Sequence, residues 1–155
     1  MNKHLQRFGQ SGFSLLEVLI TVVIIAVGLM GFAGMMVKSA KNNRIAMHRS
    51  LATLYAYDII DCMRVNRTAA TAGAYTLADF GDILTGSTVA VDDVNLWQAA
   101  LSTVLPAGQG KITFAGNTVT VEIRWTETIN PQEAGACDED PPSPACHTWT
   151  TESTL

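Results

Sequence analysis

The chain contains 155 residues, about the length of one folded domain, and hydrophobic residues make up 48% of it. Its formal net charge of −4 is unevenly spread, because residues 45–155 carry five basic and thirteen acidic side chains, a net of −8. A surface of that sign repels phosphate backbones and argues against nucleic-acid binding, while the length excludes a large multidomain enzyme.

The N-terminal region has a basic leader followed by a long apolar stretch. Residues 1–12, MNKHLQRFGQSG, are polar and typical of a targeting segment, so we exclude them from the fold. Residues 13–37 contain only three clearly polar side chains, Ser14, Glu17 and Thr21. As a helix this stretch would be about 37 Å long, enough to cross a hydrocarbon core of about 30 Å. We therefore predict a membrane-spanning segment that continues into further helix.

The residues after the apolar stretch show the pattern of an amphipathic helix. Apolar side chains recur at spacings of three and four, at Ala52, Tyr55, Ile59 and Met63. Asp61 and Arg64 lie on the opposite side, where their spacing permits an ion pair. The pattern predicts one helix from about Phe13 to Asn66, whose C-terminal half packs its apolar stripe on a folded body.

The remaining residues predict a short helix and a sheet. Residues 68–93 have no clear pattern and are expected to be irregular, and Asn95 is a candidate cap for a helix at Leu96–Leu105, before Pro106. Apolar residues then alternate over 112–125 on both sides of a Gly116-Asn117 turn, which predicts an antiparallel hairpin with one buried face. The tail HTWTTEST is β-prone and predicts an edge strand. The fold class is therefore α+β, with the long N-terminal helix across an antiparallel sheet.

The three cysteines have different settings. Cys137 and Cys146 lie close together in a Pro- and Asp-rich stretch, and their spacing favours a disulfide if this part of the chain lies outside the cytoplasm. Cys62 lies in the helical pattern, as a buried thiol or one available to another chain. The alternatives are three free thiols or a zinc site on Cys137, Cys146 and His147, which lacks a common ligand spacing and a fourth ligand.

The junction between leader and apolar stretch carries the most specific signal. Gly12 ends the leader, and Glu17 places a carboxyl group within an apolar helix, where a charge costs a few kcal/mol and marks a functional residue. A free α-amino group on a neighbouring copy would be a suitable partner. Such a group exists only if the chain is cut after Gly12, which makes Phe13 the new N-terminus.

These residues are part of a family motif. The stretch GFSLLEVLITVVIIAVGLMG resembles the class III signal and N-terminal helix of type IV pilins and pseudopilins, and the likeness covers about residues 7–45. The resemblance implies that a prepilin peptidase cuts between Gly12 and Phe13 and methylates the amine of Phe13. It also implies that Glu17 pairs with the N-terminus of a neighbouring subunit during assembly.

Within this class, the end of the helix is similar to that of PilV-type minor pilins. Their run D-x-x-D-R-M-R-x-N-R is matched at Asp58, Asp61, Met63, Arg64, Asn66 and Arg67, with Cys62 at a position where an arginine is usual. This resemblance implies a minor pilin that acts with other minor pilins in initiating pilus assembly. The alternatives are a type II secretion pseudopilin and, from another class, a signal-anchored periplasmic binding domain whose residues 68–155 recognise a ligand.

The resulting expectations cover organisation, partners and location. We expect a cleaved leader at 1–12, a membrane and filament-core helix at 13–37, its amphipathic half at 38–67, and a periplasmic or extracellular globular part at 68–155. The implied partners are other minor pilins, the major pilin, prepilin peptidase and the inner-membrane assembly machinery. The chain would reside in the inner membrane and then in the pilus. No cofactor, metal or enzymatic activity is expected, since no nucleophile motif accompanies His48 or His147.

Overall fold

The computed structural model describes residues 12–127, 137 and 145–155. The chain divides into two compact units, Met1–Asn42 and Asn43–Leu155, and we treat each by itself. The described elements, in chain order, are α1 (Leu15–Val65), α2 (Arg67–Thr71), α3 (Val89–Val104), β1 (Gln109–Ala115), β2 (Thr118–Thr126) and β3 (Cys146–Thr154).

The described part of the N-terminal unit is residues 12–42, most of it the beginning of α1, and residues 18–37 carry no polar side chain other than Thr21. Side chains such as Leu19, Ile24 and Leu29 are each more than half exposed within the chain. α1 is long and apolar enough to cross a membrane by length and composition. A helix without a polar face that buries nothing in its own chain needs an apolar environment from outside. This agrees with the membrane-spanning segment predicted from the sequence.

The sheet of the second unit has the order β1-β2-β3, and both pairs of strands are antiparallel. Gly116 makes the tight turn between β1 and β2 with a φ of 63°, a conformation that glycine adopts without strain. Alternate residues of β2 face the core, and Val119, Val121 and Ile123 are fully buried. The predicted hairpin and the predicted edge strand are confirmed.

The core lies between this sheet face and the C-terminal half of α1. Buried α1 residues recur at helical spacing, at Ala52, Ala56, Ile59, Ile60 and Met63. They pack with the buried face of the sheet and with Val94, Trp97 and Leu101 of α3 in one cluster. The α+β prediction is therefore confirmed, with a long N-terminal helix packed on a three-stranded antiparallel sheet in a type IV pilin-like arrangement.

Polar contacts tie α1 to the sheet at both ends of this core. Glu127, which follows β2, accepts a hydrogen bond from Arg49 of α1 at 3.2 Å, and its other carboxylate oxygen lies 3.1 Å from Nε2 of His147 in β3. Arg64 pairs with Asp61 at 2.8 Å, as the spacing predicts, and donates to Ser153 Oγ at 2.9 Å. These contacts fix the direction in which the helix crosses the strands.

The helix predicted at Leu96–Leu105 begins earlier than expected. α3 starts at Val89, and Thr88 is its N-cap, with its hydroxyl accepting from the backbone N–H of Val91. Asn95 is inside the helix, and its amide donates to the carbonyl of Leu84 and accepts from the N–H of Leu84. The prediction that Asn95 caps the helix was wrong, because this side chain instead forms hydrogen bonds to the backbone of the loop before α3. Part of the stretch 68–93, expected to be irregular, also forms α2.

Gly110 shows how closely α3 approaches β1. A Cβ atom at this position would overlap the six-membered ring of Trp97, whose indole N–H donates to the Tyr55 carbonyl of α1 at 2.9 Å. The side chain of Gln98 adds a pair of hydrogen bonds to the backbone of Gly110. A side chain at Gly110 would therefore force apart three elements that share one core.

We predict that Gly110→Ala destabilises the chain by about 1 to 3 kcal/mol, the usual cost of overpacking a filled core. The measurement is thermal or denaturant unfolding of the detergent-solubilised full chain, followed by tryptophan fluorescence. Trp97→Leu should make room for the added methyl group, so the loss in the double variant should be smaller than the sum of the single losses. Additive losses, or an unchanged stability of Gly110→Ala, would contradict the close approach.

Candidate functional site

The predicted processing junction lies immediately before α1. Gly12, Phe13 and Ser14 are in non-helical backbone, and the side chain of Phe13 is 82% exposed. Ser14 caps the helix: its hydroxyl accepts from the N–H of Leu16 at 3.3 Å, and its carbonyl accepts from Glu17 and Val18. The peptide bond between Gly12 and Phe13 is thus outside the hydrogen-bonded helix and accessible within the chain.

Glu17 lies in the first turn of α1, three residues after the capping Ser14. A carboxylate is favoured there by the partial positive charge of the helix N-terminus. Its neighbours Leu16, Val18 and Ile20 are exposed apolar side chains. Among the described residues, no cationic group or hydrogen-bond donor contacts the side chain of Glu17. Any ionic partner of Glu17 therefore lies outside the described part of the chain.

Three glycines follow along the same stretch of α1. A Cβ atom at Gly28, Gly31 or Gly34 would meet nothing within 4 Å in this chain. The chain's own packing therefore gives no reason for glycine at these positions. Two physical reasons could account for glycine there: close packing against another helix, or local weakening of the helix at about 1 kcal/mol for each glycine relative to alanine.

Cys137 and Cys146 form the disulfide that their spacing favours. The carbonyl of Cys137 also accepts a hydrogen bond from Arg124 of β2, at 2.8 Å. The bond removes both thiolates from metal binding, so the alternative zinc site with His147 is wrong. The neighbouring acidic residues Asp138, Glu139 and Asp140 lie outside the described residues. Within the described part of the chain, no group of three or more metal-ligating side chains comes together.

Cys62 remains a free, half-buried thiol on α1. Burial is the main factor that raises its pKa, and the carboxylates of Asp93, Asp58 and Asp61 raise it further because they disfavour a second negative charge nearby. The thiol is therefore kept in its protonated, poorly nucleophilic form. This position is not poised for catalysis.

A polar network that the sequence did not reveal lies beside this thiol. Tyr75, fully buried as a residue, donates its hydroxyl proton to Asp93 at 2.6 Å and accepts from the side chain of Asn66 at 3.2 Å. Burial raises the pKa of Tyr75 to about 12, and the hydrogen bond to Asp93 adds to the effect. No motif links these positions, since they are brought together only by the packing of the end of α1 against α3.

The two histidines named in the sequence analysis, His48 and His147, both interact with Glu127. His48 of α1 has a lowered pKa, first through burial and then through the positive charge of Arg44, while Glu127 opposes the shift. His147 pairs with Glu127 and stacks on Trp125 at a ring distance of 6.2 Å. Both therefore belong to the junction between helix and sheet.

Comparison with known proteins bears on the N-terminal segment. The model of a family described as the prokaryotic N-terminal methylation motif matches residues 7–33. This motif supports a type IV pilin-like protein with a prepilin-type signal that prepilin peptidase processes, and a single-pass inner-membrane anchor fits the apolar helix that follows. Proteins with this motif are structural subunits of pilus-like machinery. No curated protein and no solved structure matches the chain.

The Tyr75 network predicts a dependence of stability on alkaline pH. Because folding raises the pKa of Tyr75 from 10.0 to about 12, the stabilisation is complete below pH 10 and is lost as the pH rises towards 12. Titration followed by tyrosinate absorbance should show one of the three tyrosines ionising near pH 12. In Tyr75→Phe that step should be missing, and the loss of stability between these pH values should be smaller. Ionisation of Tyr75 near pH 10 in the folded chain would contradict the network.

Proposed function

We propose that this chain is a minor pilin of the PilV type, inserted into the inner membrane as a prepilin, cut between Gly12 and Phe13, and built into a type IV pilus. The observation that carries the proposal is the junction at the start of α1. It combines an accessible peptide bond after Gly12 with the carboxylate of Glu17, which has no partner among the residues that the structure describes, within the matched methylation motif. Neither feature is needed by a simple membrane anchor.

The proposed cleavage creates a positively charged α-amino group at Phe13, which would be the ionic partner of Glu17. Hydrolysis of the peptide bond between Gly12 and Phe13 releases residues 1–12 and creates a new α-amino group, which is then N-methylated. A secondary amine of this kind is protonated at neutral pH, so it brings a positive charge to the helix N-terminus. Pairing with Glu17 of an adjacent subunit would compensate two charges that are each costly in an apolar environment. Glu17 would thereby set the position of one subunit along its neighbour.

The rest of the chain is divided accordingly in this proposal. Residues 13–37 form the membrane segment before assembly and the filament core afterwards, and residues 38–67 form the amphipathic half of the same helix. Residues 68–155 form the globular part, on the periplasmic side before assembly. The disulfide between Cys137 and Cys146 supports this location, since such bonds persist in oxidising compartments.

The PilV-type assignment is supported by the contacts of the sequence run Asp58–Arg67, which resembles the end of the PilV helix. Arg64 bonds to Asp61 and to Ser153 of β3, Asn66 bonds to Tyr75, and Arg67 donates to the carbonyl of Leu155. The run therefore connects the end of the helix to the last strand and to the segment before α3. A role of this kind explains why these residue types occur together in the sequence.

The partners in this proposal are other minor pilins and the major pilin, contacted through the N-terminal helices. Prepilin peptidase and the inner-membrane assembly machinery act on the chain before incorporation. Deleting the chain should reduce surface pili while type II secretion continues normally. Loss of secretion with normal pili would instead assign the chain to the type II secretion pseudopilins and overturn the PilV-type proposal.

Glu17 gives a more local prediction. Glu17→Gln should still be cut after Gly12, but its recovery in sheared pili should fall by at least about tenfold, because the new N-terminus would then lie uncompensated in an apolar environment. Thr21→Val is the matched control, because within the described residues the Thr21 hydroxyl bonds only to the Val18 carbonyl of its own helix. Both variants are scored by immunoblot of membranes and sheared filaments. Normal incorporation of Glu17→Gln would contradict the assembly role of Glu17.

A further inference from the structure

The two edges of the sheet differ in how the described residues protect them. At the first edge, Leu77 forms a bridge that uses both the backbone N–H and the carbonyl of Ile112 in β1. The same strand carries Lys111, and an edge lysine discourages pairing with another chain. Among the described residues, nothing covers β3, the second edge, in this way. Its nine residues include no lysine or proline, and it pairs with β2 along its whole length without a bulge.

The register of β3 shows which of its backbone groups face away from the sheet. At the strand ends, Leu155 donates to the Asn117 carbonyl at 3.0 Å, and Glu127 donates to the Ala145 carbonyl at 2.9 Å. In an antiparallel ladder, hydrogen-bonded pairs alternate with pairs that are not bonded to each other. The odd-numbered residues of β3 therefore bond to β2, and the even-numbered residues direct their N–H and carbonyl groups outward. Their central members, which form no backbone hydrogen bond with a described residue outside the ladder, are Thr148, Thr150 and Glu152.

An exposed aromatic ring lies at the same edge. Trp149 is directly opposite Ile123 of β2, and opposite side chains share one face of a sheet. Ile123 is fully buried in the core, whereas Trp149 is 38% exposed. The apolar face of the sheet thus reaches β3 without being covered there. One further strand would bury the ring and extend the core by one row of side chains.

The other face of the edge has a different chemistry. Glu152 is exposed and forms no ion pair with a described residue, and the body that carries it, residues 45–155, has a net charge of −8. A strand that pairs with β3 would place one side chain opposite Trp149 and another, three residues away and on the other face, opposite Glu152. An apolar residue suits the first position and a lysine or arginine suits the second.

We propose that the outer edge of β3 binds an extended segment of a different subunit of the same filament, which adds a fourth strand to the sheet. Backbone hydrogen bonds to Thr148, Thr150 and Glu152 supply affinity, and the side chains opposite Trp149 and Glu152 supply specificity. The β3 strand of a second copy does not meet this requirement, because it contains no lysine or arginine to place opposite Glu152.

This inference rests on the proposed function in one respect. Incorporation into a filament is what brings another subunit beside the globular part of this chain. A type II secretion pseudopilus would meet the same condition, so the pairing does not depend on the choice between the two machines. We therefore expect a paired edge in filaments and a free edge in the purified chain.

The first test is amide hydrogen exchange of the tagged full chain, measured by mass spectrometry at single-residue resolution. The chain is compared alone in detergent and in sheared pili. The amides of Thr150 and Glu152 should exchange at least about tenfold more slowly in pili, whereas those of Trp149 and Thr151, already bonded to β2, should change less. This alternation is the signature of an added strand. Equal exchange of Thr150 and Glu152 in the two samples would overturn the inference.

The second test identifies the partner by photo-crosslinking in pili. A benzophenone amino acid at Thr148 should link to another pilin subunit, and mass spectrometry should place the link in an extended segment with an apolar and a basic residue three positions apart. The control probe replaces Val89, which is 64% exposed on α3, and should not link to that segment. A link to a second copy, to a protein that is not a filament subunit, or to nothing would overturn the inference.

Substitutions at Thr150 separate backbone pairing from side-chain contact. Thr150→Pro removes an outward N–H at an edge position where proline is tolerated, and Thr150→Val keeps that N–H. Thr150→Pro should reduce the link from position 148 about tenfold, and Thr150→Val should leave it unchanged. Equal unfolding midpoints of the two detergent-solubilised variants exclude a loss of folding. If Thr150→Pro does not fold, Glu152→Lys at the exposed face should weaken the same link. Equal links in all these variants would contradict the pairing.

The outcomes distinguish this inference from the proposed function. A chain that is processed and recovered in pili, but whose β3 edge stays unprotected, overturns the inference and leaves the proposed function standing. A chain found in type II secretion pseudopili with β3 paired to another subunit overturns the proposed function and supports the inference. A chain that never enters a filament overturns both.

Discussion

The structure depends on the mutual burial of two apolar surfaces, one on α1 and one on the sheet. Neither the stripe from Ala52 to Met63 nor the inner face of the β1–β2 hairpin forms a closed core on its own. Together with α3 they remove these side chains from water, and each Å² of apolar surface so buried contributes about 25 cal/mol. Glu127, Arg64 and the Trp97 indole fix the register of these surfaces with polar contacts at their margins.

Much of this arrangement could be predicted, because the spacing of apolar residues along the sequence indicates which side of each helix or strand is buried. Spacings of three and four identified the buried side of α1, and strict alternation identified the buried side of β2. The extent of α3 could not be predicted, because Asn95 is a good cap by residue type and only the packed loop at Leu84 shows why it is used elsewhere. The same limit applies to Tyr75 and Asp93, whose hydrogen bond joins positions without any shared motif.

The N-terminal end of α1 differs from the core, because its apolar side chains are exposed instead of buried within the chain. The membrane-length stretch buries nothing within its own chain, and Glu17 has no partner among the described residues. The sequence was most informative here. A carboxyl group is energetically unfavourable in an apolar helix, and a simple membrane anchor needs neither Glu17 nor Gly12 before Phe13, so both residues indicate processing and assembly. The match to the methylation motif at residues 7–33 supports that interpretation for the segment that it covers. The choice of machine, by contrast, depends on surfaces beyond that segment.

In the function that we propose, cleavage after Gly12 creates the charged group that Glu17 requires. The most direct measurement is the mass of the N-terminal peptide of membrane-extracted protein, from cells with and without prepilin peptidase. We expect a peptide that begins at N-methylated Phe13, found only in cells that contain the peptidase. A chain in which Gly12 and Phe13 remain joined in both kinds of cell would contradict it, because Glu17 would then lack its proposed partner.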